Sequence, residues 1–95
     1  MTARDLGQLI RDCRMMICES YMFDGPEAAL AAIAAASLQL APLVQNGLLL
    51  AAPAWDALQD VAENLTLVRR FGQDAVQEAI AFGPRVCAAY ARRAA

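Results

Sequence analysis

PEAALAAIAAASLQLAPLVQNG, residues 26–47, is the stretch whose reading decides the fold. Asp24 before it can cap a helix, Pro26 fits a first helical turn, and Glu27 completes a capping box. Bulky positions at Leu30, Ile33, Leu38, Leu40, Leu43 and Val44 are separated by Ala, which lets neighbouring helices approach closely. Pro42 removes one backbone donor and clashes with the carbonyl of Leu38, which predicts a kink or break near residues 38–41. Asn46-Gly47 ends the helix, with Gly47 suited to a left-handed conformation. No charge occurs from Ala28 to Trp55, a run long enough to raise a membrane span. Gln39, Pro42, Gln45, Asn46, Gly47 and Pro53 interrupt it, so the reading is a buried central helix and no membrane.

Working outward, Leu6, Leu9, Ile10, Cys13, Met16, Ile17 and Tyr21 recur at three- and four-residue steps and predict a first helix over residues 3–22, capped by Thr2 with Asp5. Phe23-Asp24-Gly25 breaks it. After the central helix comes an apolar connector, Leu48-Leu49-Leu50-Ala51-Ala52, of which one or two leucines can pack back on the helix end. Pro53 opens a third helix with an inner face of Trp55, Leu58, Val61, Ala62 and Leu65. Residues 65–68 read as a turn packed on the core, and Arg69-Arg70-Phe71-Gly72 as an exposed corner. A fourth helix starts near Gln73 and buries Val76, Ile80 and either Ala79 or Phe82. Gly83-Pro84 is expected to end it and open a last helix with Val86, Cys87 and Tyr90 inside, fraying after Ala91. The expected fold is one all-α domain over residues 1–95, a bundle of four to five helices around the Ala-rich central one.

Ala supplies 22 of the 95 residues, so the 59% hydrophobic share overstates the core. Each Ala contributes little transfer energy, and a chain this short buries only about 60–65% of its extended surface, which leaves room for stabilisation by self-association or a partner. The eight basic residues are all Arg, against ten carboxylates, for a net charge of −2. The acids Asp24, Glu27, Asp56, Asp60 and Glu63 occupy residues 24–68 without any base, whereas residues 69–95 carry five Arg. That polarity suits docking on a charged partner or head-to-tail pairing.

His is absent, which removes imidazole catalysis and His metal ligands. Cys13 and Cys18 lie about 140° apart on a helix, and Cys87 is distant in sequence, so the reading is three reduced thiols and no shared metal. Ser20 and Ser37 have no base to activate them, and no phosphate-binding glycine loop occurs. An enzyme, a cofactor and a metal site are therefore not expected. The N-terminus lacks the apolar core of a signal peptide, and a cytoplasmic location is expected.

Two kinds of surface stand out as candidate sites. Met15, Met22, Phe23, Leu48, Leu49 and Leu50 exceed what a thin core needs, and Asp56, Asp60 and Glu63 line one face of the third helix at i, i+4 and i+7; together they are candidates for protein contact. Arg69, Arg70, Arg85, Arg92 and Arg93, with Phe71 and Tyr90 among them, are the candidate contact to nucleic acid or an acidic partner.

The run Leu40-Ala41-Pro42-Leu43-Val44-Gln45-Asn46-Gly47-Leu48-Leu49, the Trp-containing helix after it, and Asp74-Ala75-Val76-Gln77-Glu78-Ala79-Ile80-Ala81-Phe82-Gly83 resemble a small helical segment that phage and plasmid primase–helicase proteins carry beside their catalytic domains. The resemblance covers residues 28–84 and implies an accessory helical module of mobile-element origin. No primase or helicase motif is present, so no catalytic residue carries over.

The expected function is non-enzymatic binding of another protein, of the kind used by a mobile-element-encoded inhibitor of a bacterial defence complex such as an anti-CRISPR protein. In that version Asp56, Asp60 and Glu63 compete with nucleic acid for a basic groove. Two alternatives stay open: a replication or transcription accessory that uses the five Arg on phosphates, and a structural homo-oligomer, including a homodimer.

Overall fold

A computed structural model describes residues 3–94, with side-chain surroundings for residues 5–93. Five helices follow in order: α1 Ala3–Asp24, α2 Pro26–Gln45, α3 Ala51–Asn64, α4 Leu67–Phe71 and α5 Gln73–Ala94. No strand occurs among the described residues. The proposed Thr2 cap lies outside them.

The α1–α2 break sits one residue later than the capping signal implies. Asp24 remains in α1, and Gly25, at φ 95°, makes the turn with no side-chain cap, so the Asp24/Glu27 capping box does not form. The Gly25 N–H closes α1 on the Tyr21 carbonyl at 3.0 Å. At its other end α2 stops as its sequence suggests. Gly47 takes φ 74° and donates to Val44 O at 3.1 Å, while Leu48 N–H reaches back to Leu43 O at 2.9 Å. This pair satisfies two carbonyls that a helix end otherwise leaves open.

Neither internal proline divides its helix. α2 continues through Pro42, which is exposed, so the bond it removes lies on the solvent side. The expected break at Gly83-Pro84 is overturned: α5 is one helix through both residues and stays helical to Ala94, past the expected fraying point. Pro84 has no N–H to give the Ile80 carbonyl, four residues back. That carbonyl instead accepts a hydrogen bond from the Ser37 hydroxyl of α2, and the same hydroxyl accepts the Gly83 N–H at 2.9 Å. A side chain on another helix thus offsets the proline defect, which local sequence does not reveal. Among the described residues Ser37 is the one buried polar residue, and no buried side-chain polar atom lacks a partner.

At the Ser37–Gly83 contact the backbones of α2 and α5 leave no room for a side chain on residue 83. Further along, Gln45 of α2 and Tyr90 and Ala91 of α5 line one hollow, so the two helices run parallel. α1 packs antiparallel on the other side of α2, with the Cys13 thiol donating to Gln39 Oε1 at 3.7 Å. α3 lies across this three-helix layer and touches all three members, and α4 links it to the start of α5. Two helix layers account for the thin dimension of the 38 × 30 × 21 Å molecule.

One core cluster joins all five helices. Ile17, Ile33, Leu40, Leu58, Leu67 and Val76 are its large, fully buried side chains, and alanines 29, 32, 36, 54, 62 and 79 fill the gaps between them. Ala79, not Phe82, takes the inner position on α5, and Tyr90, expected inside, is exposed. The expected turn over residues 65–68 carries the start of α4: Thr66 is left-handed at φ 60°, and Leu67 begins the helix. A β-branched residue is strained in that conformation. Thr66→Asn is therefore expected to raise stability by about 0.5–1 kcal/mol, read as a higher denaturation midpoint.

Candidate functional site

α2 carries no charge after Glu27, yet it is buried on only one side. Ala29, Ala32, Ile33, Ala36, Ser37, Leu40 and Ala41 face the core, which makes it a core helix although its length and mean hydropathy of 1.6 would also suit a membrane span. Opposite them, Ala31, Ala35, Leu38 and Pro42 form an exposed stripe at i, i+4, i+7 and i+11 without any charge. The buried central helix expected from sequence is therefore buried along one face and open along the other. α3 covers one side of the α1–α2–α5 layer and leaves this side open.

Hydrogen bonds fix which residues of the outer helices share the open side. On α1, Arg14 pairs with Asp60 of α3 at 2.8 Å and so marks the covered flank. Met16 and Phe23, seven residues apart, lie about 160–180° around the helix from Arg14, on the open flank. Phe23 is 79% exposed. On α5, Gln77 donates to Gln59 of α3 at 3.0 Å and marks the covered flank. Phe82 and Val86 lie about 140–180° from it and face the open side. Leu38 belongs between them, because its backbone N abuts Gly83. The resulting surface runs from Met16 and Phe23 across the alanines of α2 to Leu38, Phe82 and Val86. Asp12 and Glu19 follow the α1 edge at one heptad's spacing.

Of the residues singled out in the sequence, Phe23 alone belongs to this surface. Met15 and Met22 are exposed on the Arg14 side of α1. Leu48 and Leu50 are exposed and Leu49 packs back on the core, at the opposite end of α2 from Phe23, about 30 Å away. Met16, Ala31, Ala35, Leu38 and Phe82 were missed. The signal for them was present: a helix without one charged residue from Ala28 to Gln45 has no solvent face to spare.

The charged candidates separate in the same way. Asp56, Asp60 and Glu63 line an open hollow on α3 together with Arg14, which neutralises the middle carboxylate. Arg69 and Arg70 lie just before α5 and Arg92 and Arg93 near its end, separated by about 30 Å of helix. Arg85 lies between them and holds Glu78 through both guanidinium nitrogens, which pulls that carboxyl below the usual carboxylate range. The five Arg therefore do not form one patch.

A groove along the covered edge of α5 is lined by Trp55, Ile80, Ala81, Pro84 and Ala88, with Arg85 and Gln77 at its rim. It holds no nucleophile or base. The three cysteines are unpaired, and no three His, Cys, Asp or Glu groups gather to hold a metal ion among the described residues. Burial, and then neighbouring Asp12, push the Cys13 thiol above its ordinary value of 9.0. The unfolded thiol ionises first, so this group's contribution to stability is present below pH 9 and declines as pH rises beyond it. Alkylation of the native protein at pH 8 is expected to label the half-buried Cys18 and Cys87 ahead of Cys13; equal rates would show that burial does not protect it.

Taken together these features define the class: a small all-α bundle with one uncovered layer face and, among the described residues, no assembled reactive group. Comparison with family models, curated proteins and solved structures gives no match to this chain. The resemblance to the helical segment of primase–helicase proteins rests on the quoted residues alone.

Proposed function

We propose that this protein is a non-catalytic helical binding module whose open α1–α2–α5 face is covered by another protein surface. The observation that carries the reading is the exposed, uncharged stripe Ala31, Ala35, Leu38 and Pro42, flanked by Phe23 and Phe82. An apolar surface of this extent is costly to leave in water, and in soluble proteins such patches mark contact sites. An inhibitor of a larger bacterial complex is one form of such a module.

Tagged protein expressed in its native host tests the reading. Ala31→Glu with Ala35→Glu places two charges on the stripe without touching the core, and helix propensity changes little. The double variant is expected to lose at least ten-fold of the partner recovered by the parent chain while its circular dichroism stays the same. Equal recovery would move the contact elsewhere.

The inhibitor form that uses the acidic side of α3 draws on Asp56 and Glu63, since Asp60 is engaged by Arg14. Nucleic-acid binding through the Arg residues would need the two ends of α5 to act separately. A mobility titration at low salt that shows no shift at micromolar protein removes it.

A further inference from the structure

We infer that Asn46 is a site of spontaneous covalent modification: its side-chain amide is lost through a cyclic imide with Gly47, which leaves a carboxylate at the end of α2. The site lies one turn past Pro42, the last residue of the exposed stripe, and does not depend on what covers the open face.

The reacting groups are neighbours in the chain. In Asn46-Gly47 the backbone N of Gly47 can attack Asn46 Cγ to close a five-membered ring, and glycine has no Cβ to hinder the approach. Solvent hydroxide takes the Gly47 N–H proton and the N–Cγ bond forms. The Asn46 side-chain nitrogen takes a proton from water and leaves as ammonia. Water then opens the ring at either carbonyl, giving aspartate at position 46 or its isomer with the chain running through the side-chain carboxyl. One water is consumed, one ammonia is released, and nothing is oxidised.

The structure favours this asparagine over the other one. Asn46 is exposed, its amide makes no hydrogen bond among the described residues, and a Cβ on Gly47 would meet nothing within 4 Å. Asn64 is exposed too, but its amide donates to the Asp60 carboxylate at 3.4 Å. Leu65 follows it, placing a branched side chain beside the attacking nitrogen, and that N–H is held by Val61 O at 3.0 Å.

Backbone geometry sets the gate. Asn46 has ψ 4°, which places the Gly47 N over the Asn46 N, whereas ring closure needs it over Cβ. The Gly47 peptide must turn by about a third of a revolution. That turn breaks the Gly47 N–H bond to Val44 O and pulls the Leu48 and Leu49 N–H groups from Leu43 O. All three donors lie beyond Gln45, the last residue of α2, and of these residues only half-buried Leu49 packs on the core. A helix end of this kind opens locally at far lower cost than the whole domain, so the reaction proceeds in the folded protein. The new carboxylate stands at the negative pole of α2, where it is unfavourable and weakens the helix end.

Incubation of the purified chain at pH 8, followed by mass spectrometry of its peptides, tests the inference. The expected result is the mass change of an amide replaced by a carboxyl at Asn46, with Asn64 unchanged. Asp24-Gly25 can close the same ring but returns the same mass, so it does not interfere. Asn46→Gln should abolish the change at that position with circular dichroism unaltered, because its ring would need an extra carbon. Leu67→Ala weakens the core away from the α2 end and should leave the rate at Asn46 within about two-fold of the parent. An unchanged residue 46 in the folded chain, once the guanidinium-unfolded chain has converted, overturns the inference. So does equal conversion at Asn64, or a rate about ten-fold or more higher in Leu67→Ala, which would make global unfolding the gate.

Discussion

Gly83→Ala is expected to destabilise the protein by about 3 kcal/mol or more, although Ala is the better helix former by about 1 kcal/mol. A Cβ at residue 83 would lie 2.1 Å from the Ser37 carbonyl oxygen and 2.7 Å from Leu38 N. Both are backbone atoms inside α2, so no rotamer change relieves the overlap. α2 and α5 would have to separate, which loosens Val76 and Ile80 against the alanines of α2 and stretches the two hydrogen bonds at Ser37. A domain of this length is stable by about 5–14 kcal/mol, and each kcal/mol moves its melting temperature by about 4–8 °C, so a fall of at least about 12 °C is expected. Thermal unfolding followed by circular dichroism gives the sign directly. A variant as stable as the parent would mean that the helices do not touch at Gly83.

The α2–α5 crossing also shows where sequence reading stops. Helix periodicity and the Gly47 stop are local properties, and both ends of α2 were legible to within a residue. Gly83-Pro84 is locally a stop signal as well, yet it is overridden by a hydroxyl 46 positions earlier in the chain. The open face has the same cause. Its apolar stripe is plain in residues 28–45, but which side of α2 is covered depends on where α3 docks its buried Leu58, Val61 and Ala62, a placement marked by Arg14–Asp60 and Gln59–Gln77 between distant segments. The five Arg illustrate the reverse error. They are adjacent by composition and scattered in space, because α5 is continuous through Pro84 and carries its ends apart.

Leu67→Ala is expected to cost about 2–4 kcal/mol, the range for truncating a buried leucine to leave a partly collapsed cavity. Sequence places this position in a turn packed on the core, whereas a residue on an exposed turn would cost under about 1 kcal/mol. Leu67 is fully buried, and it is the sole buried residue of α4. Five residues cannot hold a helix by their own hydrogen bonds, because nucleation is unfavourable and few bonds follow it. Thr66 adds left-handed strain at the start, so α4 persists through what its side chains bury, namely Leu67 with help from half-buried Val68 and Phe71. Removing three carbons there weakens the core and releases the link that aligns α3 with α5. Denaturant midpoints measure the total cost, and hydrogen exchange at Arg70 N–H, bonded to Thr66 O at 3.1 Å, reports α4 itself. Faster exchange at Arg70 than the global loss accounts for would show α4 opening as a unit; a midpoint unchanged from the parent would mean that Leu67 does not fill a core position.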